Sequence, residues 1–193
     1  MLYILKKGRK TVKNIEIKDI KVLYSEEEIK KRVIEIAQKL NNIYVNEEVC
    51  VICVLKGAIM FATDLVRELK MPLSMEFIRL SSYGHATESS GKVNAVEIKL
   101  PDLNDKNVII VEDIVDTGLT AKFLLDFLNA NFRVKSLKFI SLLDKKISRK
   151  TEVEPDLYGF DIDDKFVVGY GLDYDGKFRN LKFIGYADKA LLV

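Results

Sequence analysis

The sequence predicts an α/β fold, a mostly parallel central sheet flanked by helices, built as a single domain over residues 1–193. Three observations predict it. Strand-like and helix-like apolar patterns alternate through the middle of the chain, which argues for parallel strands joined by helical crossovers. Val49–Leu55 (VCVICVL) and Val108–Val111 (VIIV) are uninterrupted apolar runs, the signature of buried strands. The stretch from Val108 to Ala121 reads VIIVEDIVDTGLTA, a buried strand that runs into carboxylates, a Thr- and Gly-bearing turn and a helix start. An α/β protein places a ligand at such a junction.

The elements follow in order. Residues 1–24 are weakly patterned, with a short strand near Ile15–Ile17. Ser25-Glu26-Glu27-Glu28 is a capping box, and the helix after it puts Ile29, Val33, Ile36, Ala37 and Leu40 on one face. Val49–Leu55 is a strand, Ala58–Leu69 a helix, and Leu73–Leu80 a strand that Pro72 introduces. Ser81–Lys92 (SSYGHATESSGK) is polar, carries two glycines and reads as a mobile loop of the kind that closes over a site. A strand Val93–Leu100 follows, then the central strand Val108–Val111, a helix from Gly118 to Asn131 and a strand Val134–Leu143. After Lys150 the pattern breaks into short strands at Leu157–Phe160, Phe166–Tyr170 and Phe183–Tyr186. A core over about 25–150 and a small cap from about 1–24 and 151–193 are expected.

Composition excludes several classes. The 31 basic and 29 acidic residues nearly cancel, leaving a net charge of +2, and no basic run marks a nucleic-acid footprint. No apolar run is long enough to span a membrane. The start, MLYILKKGRK, is not a secretory signal, so a cytoplasmic location is expected. Cys50 and Cys53 form C-x-x-C only on paper, because strand residues three apart point to opposite faces, and they read as two buried structural thiols. His85 is the only histidine, which leaves little for a His-centred triad or a multi-His metal site.

The chemistry concentrates in the junction. Glu112 and Asp113 are adjacent acceptors, and two carboxylates suit a diol, which donates twice. Thr117, Gly118, Leu119, Thr120 and Ala121 offer successive backbone N–H groups and two hydroxyls at a helix N-terminus, an anion site suited to phosphate. Asp116 lies between the diol and phosphate sites, placed to accept or return a proton. A helix N-cap alone explains Asp116 or Thr117, but not three carboxylates, a Gly and two Thr in one junction. Elsewhere the residues leave two readings open. Lys56-Gly57 after a buried strand is a solvated strand end or a close approach to a ligand. Asp144-Lys145-Lys146 is a charged turn or a ligand contact. Phe166 is core or an aromatic platform.

VEDIVDTGLT resembles the signature of the type I phosphoribosyltransferases, and in this variant that of the hypoxanthine (hypoxanthine-guanine) phosphoribosyltransferases. The likeness runs from about residue 15 to 180. It implies the type I phosphoribosyltransferase fold, with a hood formed by the terminal segments. It implies transfer of the phosphoribosyl group of phosphoribosyl pyrophosphate to hypoxanthine or guanine, giving IMP or GMP and pyrophosphate. By resemblance, Glu112 and Asp113 bind the ribose, Asp116 to Thr120 the 5′-phosphate, and Asp116 is the catalytic base. The Leu55–Lys56 peptide would be cis, and Lys56, Gly57 and Arg179 would meet pyrophosphate. Lys145, Phe166, Val167 and Asp173 would form the purine site: Lys145 as donor to the 6-oxo group, Phe166 stacking, Val167 reading the ring edge by its backbone. Ser82 and Tyr83 match lid residues. Glu112, Asp113 and Asp173 would hold Mg2+, Asp173 through the ion's water shell. Relatives of this kind are homodimers or homotetramers, and no nucleic-acid or membrane partner is expected.

Three other readings compete. A signalling receiver domain would carry its acidic pair early in the chain and a phosphoacceptor Asp after a later strand. A nucleic-acid-binding regulator on the same fold would need a basic face. A xanthine- or guanine-preferring transferase differs only in the base it takes.

Overall fold

The computed structural model describes residues 15–82 and 93–187. Among them the chain forms β1 (Lys21–Tyr24), α1 (Glu26–Ile43), β2 (Val49–Leu55), α2 (Ile59–Glu68), β3 (Leu73–Ser82), β4 (Val93–Glu97), β5 (Asn107–Val115), α3 (Leu119–Asn131), β6 (Ser136–Asp144), β7 (Leu157–Asp161), β8 (Val167–Val168) and β9 (Ile184–Tyr186). The large sheet has the order β4-β3-β2-β5-β6-β7. Its pairs are parallel except β3 with β4, at one edge.

The unbroken apolar runs of β2 and β5 are explained by burial on both faces. Val49, Val51 and Cys53 pack with Ile29, Val33 and Leu40 of α1 and Phe61 and Leu65 of α2. Cys50, Ile52 and Val54 pack on the other face with Ala121, Leu124 and Leu128 of α3. The two cysteines thus belong to different cores, and both are free thiols. Burial, followed by the nearby Glu112 and Asp113 carboxylates, pushes the Cys53 thiol up to about 12, consistent with an unreactive structural role.

Helix α1 starts where the capping box requires. The Ser25 hydroxyl accepts from the Glu28 amide at 3.3 Å, and the Glu28 carboxylate accepts from the Ser25 amide at 2.8 Å. Its buried residues are the five expected ones, Ile29, Val33, Ile36, Ala37 and Leu40.

A second, antiparallel sheet has the order β1-β9-β8 and joins an early segment of the chain to a late one. Ile20, Val168 and Leu181 form its own small core. Three sequence expectations change here. The strand near Ile15–Ile17 is instead a 3-10 turn at Ile17–Asp19, because the Asp19 carboxylate accepts from the Glu16 amide at 2.9 Å and curls the chain. The strand starts four residues beyond Ile17, at Lys21. Leu157–Asp161, expected in the cap, is the edge strand of the large sheet, paired parallel with β6. Ser81 and Ser82, expected in the loop, continue β3, whereas Tyr83 and His85 lie outside the described residues.

Candidate active site

Strand order alone marks where a ligand belongs. β2 and β5 are neighbours, but the chain leaves β2 for β3 on one side and β5 for β6 on the other. The carboxyl ends of such a strand pair open a crevice. The ends in question carry Leu55-Lys56-Gly57 and Glu112-Asp113. The acidic pair is not in a turn after the strand, as the sequence suggested. β5 runs on through it to Val115, because Ile114 and Val115 pair with Leu143 and Asp144 of β6.

Glu112 is only 8% exposed, and its Oε2 is buried with no hydrogen-bond partner among protein groups. Burial, and then the Asp113 carboxylate beside it, holds Glu112 well above the usual carboxylate range. Asp113 is also raised, chiefly by burial, against opposing pulls from its hydrogen bonds and from the Arg179 guanidinium. Its Oδ1 accepts from the Ile114 amide at 3.0 Å. Native proteins satisfy buried polar groups, so this carboxylate oxygen is open to a donor or a cation at the crevice.

Gly57 belongs to this arrangement for a steric reason. A Cβ there would overlap the Asp113 carboxylate, so only glycine lets the β2 end lie against the β5 end. The Leu55–Lys56 peptide is cis, as the resemblance implied, and Lys56 is exposed. Gly171 repeats the logic from the small sheet's side. Its φ is +101°, and a Cβ would overlap the Gly57 carbonyl. The segment bearing Asp173 and Arg179 therefore rests directly on the Lys56-Gly57 corner.

Beyond Val115, Asp116 is exposed. Gly118 takes the left-handed conformation, φ +79°, and opens α3 at Leu119. The Thr117 hydroxyl accepts from the Leu119 amide at 3.4 Å. Thr120 lies in the first helical turn, whose N–H groups have no preceding turn to bond. The loop thus presents the donors expected for an anion.

The remaining residues fall into two groups. The Lys145 ammonium, at the end of β6, pairs with Asp164 at 3.0 Å and donates to the Lys165 carbonyl at 3.5 Å. Its side chain is 12% exposed, so it is not a solvated charged turn. Phe166 is 42% exposed and meets Tyr174 edge-on at 5.8 Å. It is a displayed aromatic rather than core, and Val167 beside it is buried in β8. Asp173 is paired with Arg179, its Oδ2 accepts from the Gly176 amide at 2.7 Å, and Arg179 donates to the Gly171 carbonyl at 2.6 Å. Ser82 ends β3, and Tyr83 lies outside the described residues.

Sequence reasoning singled out the Glu112–Thr120 stretch and, by resemblance, the Lys56-Gly57 corner and the Lys145–Phe166 region. It did not bring forward Arg149, which donates to the Asp116 carbonyl at 3.3 Å and pairs with buried Asp144. Nothing in the run Asp144-Lys145-Lys146-Ile147-Ser148-Arg149 distinguishes that arginine from the lysines around it. Only the fold shows that it turns inward.

Among the described residues, no three His, Cys, Asp or Glu side chains gather closely enough to hold a metal ion. Asp173 is engaged by Arg179 and does not close a cage with Glu112 and Asp113. The partnerless Glu112 oxygen beside Asp113 fits a hard cation that arrives with waters and substrate oxygens of its own, as magnesium does.

Known proteins converge on the same reading. The family model "Phosphoribosyl transferase domain" matches residues 19–175. The hypoxanthine-guanine phosphoribosyltransferase of Bacillus subtilis is 42% identical over 171 residues, which is 89% of this chain and 94% of that protein. The enzyme of the same name from Aquifex aeolicus is 43% identical, covering 88% and 96%. Among solved structures, a hypoxanthine phosphoribosyltransferase from Staphylococcus aureus superposes with a TM-score of 0.85 at 37% identity, over 91% of this chain and 96% of that one. The hypoxanthine-guanine phosphoribosyltransferase of Bacillus anthracis, with a HEPES molecule in its active site, gives 0.82 at 43% identity, over 87% and 98%. With the crevice, its carboxylate pair and the Gly118 helix start in place, the chain belongs to the phosphoribosyltransferase family, on the branch of the hypoxanthine-guanine phosphoribosyltransferases.

Proposed function

We propose that the protein is a purine-salvage transferase that moves the phosphoribosyl group of phosphoribosyl pyrophosphate to N9 of a 6-oxopurine, hypoxanthine or guanine, releasing pyrophosphate. The observation that carries this is the convergence at the β2–β5 crevice: a buried Glu112 carboxylate with half-buried Asp113 beside it, a helix-opening loop before α3 and a glycine corner held against Asp113. Such a site matches a sugar with a vicinal diol, a 5′-phosphate and a leaving anion. The names of the relatives agree with it.

The residues divide the work. Glu112 and Asp113 accept from the ribose hydroxyls, and bonds of this charged kind contribute roughly 1.5–3 kcal/mol each. The loop Asp116–Thr120 holds the 5′-phosphate with its N–H groups and hydroxyls. With both ends of the sugar held, C1 is free to move toward the base as its bond to pyrophosphate breaks and the ring gains oxocarbenium character. The electron pair leaves with pyrophosphate, whose charge meets Arg179 and the amides at Lys56-Gly57. Purine N9 attacks C1, and Asp116 takes the proton from N7. Glu112 and Asp113, with Asp173 through water, would hold magnesium, which would supply charge neutralisation for the leaving pyrophosphate. Phe166 gives the purine a face to stack on, with the Val167 backbone at the ring edge. Lys145 donates to the 6-oxo group, which excludes adenine, whose exocyclic nitrogen is itself a donor. Ser82 ends β3, where the resemblance puts the start of a lid that would keep water from the sugar.

Kinetics with hypoxanthine, guanine, xanthine and adenine as competing bases tests the reading. Turnover is expected with hypoxanthine or guanine, and none with adenine. Preference for xanthine, or turnover of adenine, sinks the base assignment, and no phosphoribosyl pyrophosphate consumption with any base sinks the whole. We also place the protein in the cytoplasm as a homodimer or homotetramer. Among the described residues no helix is long and apolar enough to cross a membrane. Light scattering on the purified protein reads the assembly, and a monomer at working concentration counts against it.

A further inference from the structure

We propose that Arg149, held by Asp144, is a positioning residue that sets the Asp116 loop for phosphoribosyl pyrophosphate. This rests on the reading of Asp116–Thr120 as the 5′-phosphate loop. The Arg149 side chain is 12% exposed, and that of Asp144 is 1% exposed. The guanidinium spreads its donors over four acceptors. They are the Asp144 carboxylate, the Val153 carbonyl, the Val115 carbonyl at 3.4 Å and the Asp116 carbonyl at 3.3 Å.

Two of the four acceptors lie in the stretch that enters the anion loop. The backbone around Arg149 binds the same loop a second time. The Lys145 amide donates to the Val115 carbonyl at 2.9 Å, and the Lys150 amide donates to the Thr117 carbonyl at 2.9 Å. On the loop's far side, a Cβ on Gly118 would overlap the Thr151 hydroxyl and stand 2.9 Å from the Arg149 Cδ. Residues 144–151 are thus a strap across the back of residues 115–118, with Arg149 at its centre and Lys145 at its start.

A device for stability alone would not be built this way. A buried ion pair near breaks even against its desolvation, and here the second Asp144 oxygen has no hydrogen bond and only the Lys146 ammonium at 3.8 Å. What the fork does supply is direction, since a planar guanidinium fixes several carbonyls in one geometry and an ammonium does not. The aimed groups are the carbonyls of Val115 and Asp116, which orient the Asp116 side chain and the N–H groups that follow it.

The test is an Arg149→Lys variant, with Asp144→Asn as the second probe, each assayed by steady-state kinetics in both substrates and by thermal unfolding. Lysine keeps the charge against Asp144 but loses the fork. The expected result for R149K is a melting temperature within a few degrees of the wild type, a KM for phosphoribosyl pyrophosphate raised at least about tenfold, and a hypoxanthine KM within about twofold. D144N, which keeps an acceptor oxygen but removes the charge that anchors the fork, moves the same KM in the same direction by about threefold or more. If both variants keep the sugar-donor KM within twofold, or raise both KM values in parallel, or yield no folded protein, the positioning role is overturned in favour of a passive brace. An active wild type with unaffected variants overturns this role alone. A wild type that neither binds phosphoribosyl pyrophosphate nor turns over a base overturns the functional reading beneath it.

Discussion

Glu112 is held in a state that folding by itself disfavours. Its Oε2 is buried without a partner, and an unsatisfied buried polar group costs about 1–3 kcal/mol. The substrate-free protein therefore carries a local instability that a diol or a cation relieves. Glu112→Gln is expected to raise the unfolding free energy of the substrate-free protein by roughly 1–3 kcal/mol near neutral pH, measured by denaturant melts in chelator. The sign follows from the raised carboxyl. A folded-state pKa above the unfolded one means the folded state binds more protons between the two, so this contribution is whole below the unfolded value and lost as pH rises through the folded one. The gap between variant and wild type should therefore widen with pH; a constant gap contradicts the burial argument. The same variant is expected to lose phosphoribosyl pyrophosphate binding. Asp116 is the opposite case, an exposed side chain. Asp116→Asn should lower turnover by about 10²–10⁴ while phosphoribosyl pyrophosphate still binds, as measured by titration calorimetry beside kinetics. Unchanged turnover removes Asp116 from the proton's path.

At the scale of elements, the local signals in the sequence carried well where the interaction is local. The Ser25–Glu28 box and the Ile29–Leu40 stripe both lie within a few residues of one another, and the helix forms where they place it. The boundaries that moved are those decided by partners far along the chain. β5 runs four residues past Val111 because β6 pairs with it, and Leu157–Asp161 joins the large sheet because β6 offers an open edge. Arg149 was illegible for the same reason, since its acceptors at Val115 and Asp116 lie more than thirty residues away. The Lys56-Gly57 corner is the element whose geometry is most directly testable. A Cβ at Gly57 would overlap the Asp113 carboxylate, so Gly57→Ala must displace either the β2 end or that side chain. A shift of about 1 Å in a reacting constellation costs roughly 10² in rate. A fall of that order in kcat/KM for phosphoribosyl pyrophosphate is expected, with the fold retained by circular dichroism. Wild-type kinetics in the variant would mean that the corner and the carboxylate are not coupled.

The whole molecule is two sheets, and the proposed function divides one substrate pair between them. It assigns the sugar to the β2–β5 crevice of the large sheet and the purine to Phe166, next to β8 of the small sheet. They are fastened where the Tyr170 hydroxyl donates to Asp64 of α2 at 2.7 Å and where Gly171 rests against Gly57. The family likeness named Phe166 as a stacking residue, but residue pattern alone left it undecided, because an aromatic beside Val167-Val168 looks the same whether it faces inward or out. The fold decides it: Val167 and Val168 are buried, whereas Phe166 is left displayed next to the Lys145–Asp164 pair. If the division of labour is real, damage on the small sheet should be felt by one substrate only. Phe166→Ala removes a platform that contributes about 1–3 kcal/mol to base stacking, so the hypoxanthine KM should rise roughly 5- to 150-fold. The KM for phosphoribosyl pyrophosphate should stay within about twofold, and so should the denaturation midpoint, because a displayed ring contributes little to the core. A parallel loss in both substrates, or a clear drop in stability, would instead make Phe166 part of the packing that joins the sheets and leave the purine without its assigned face.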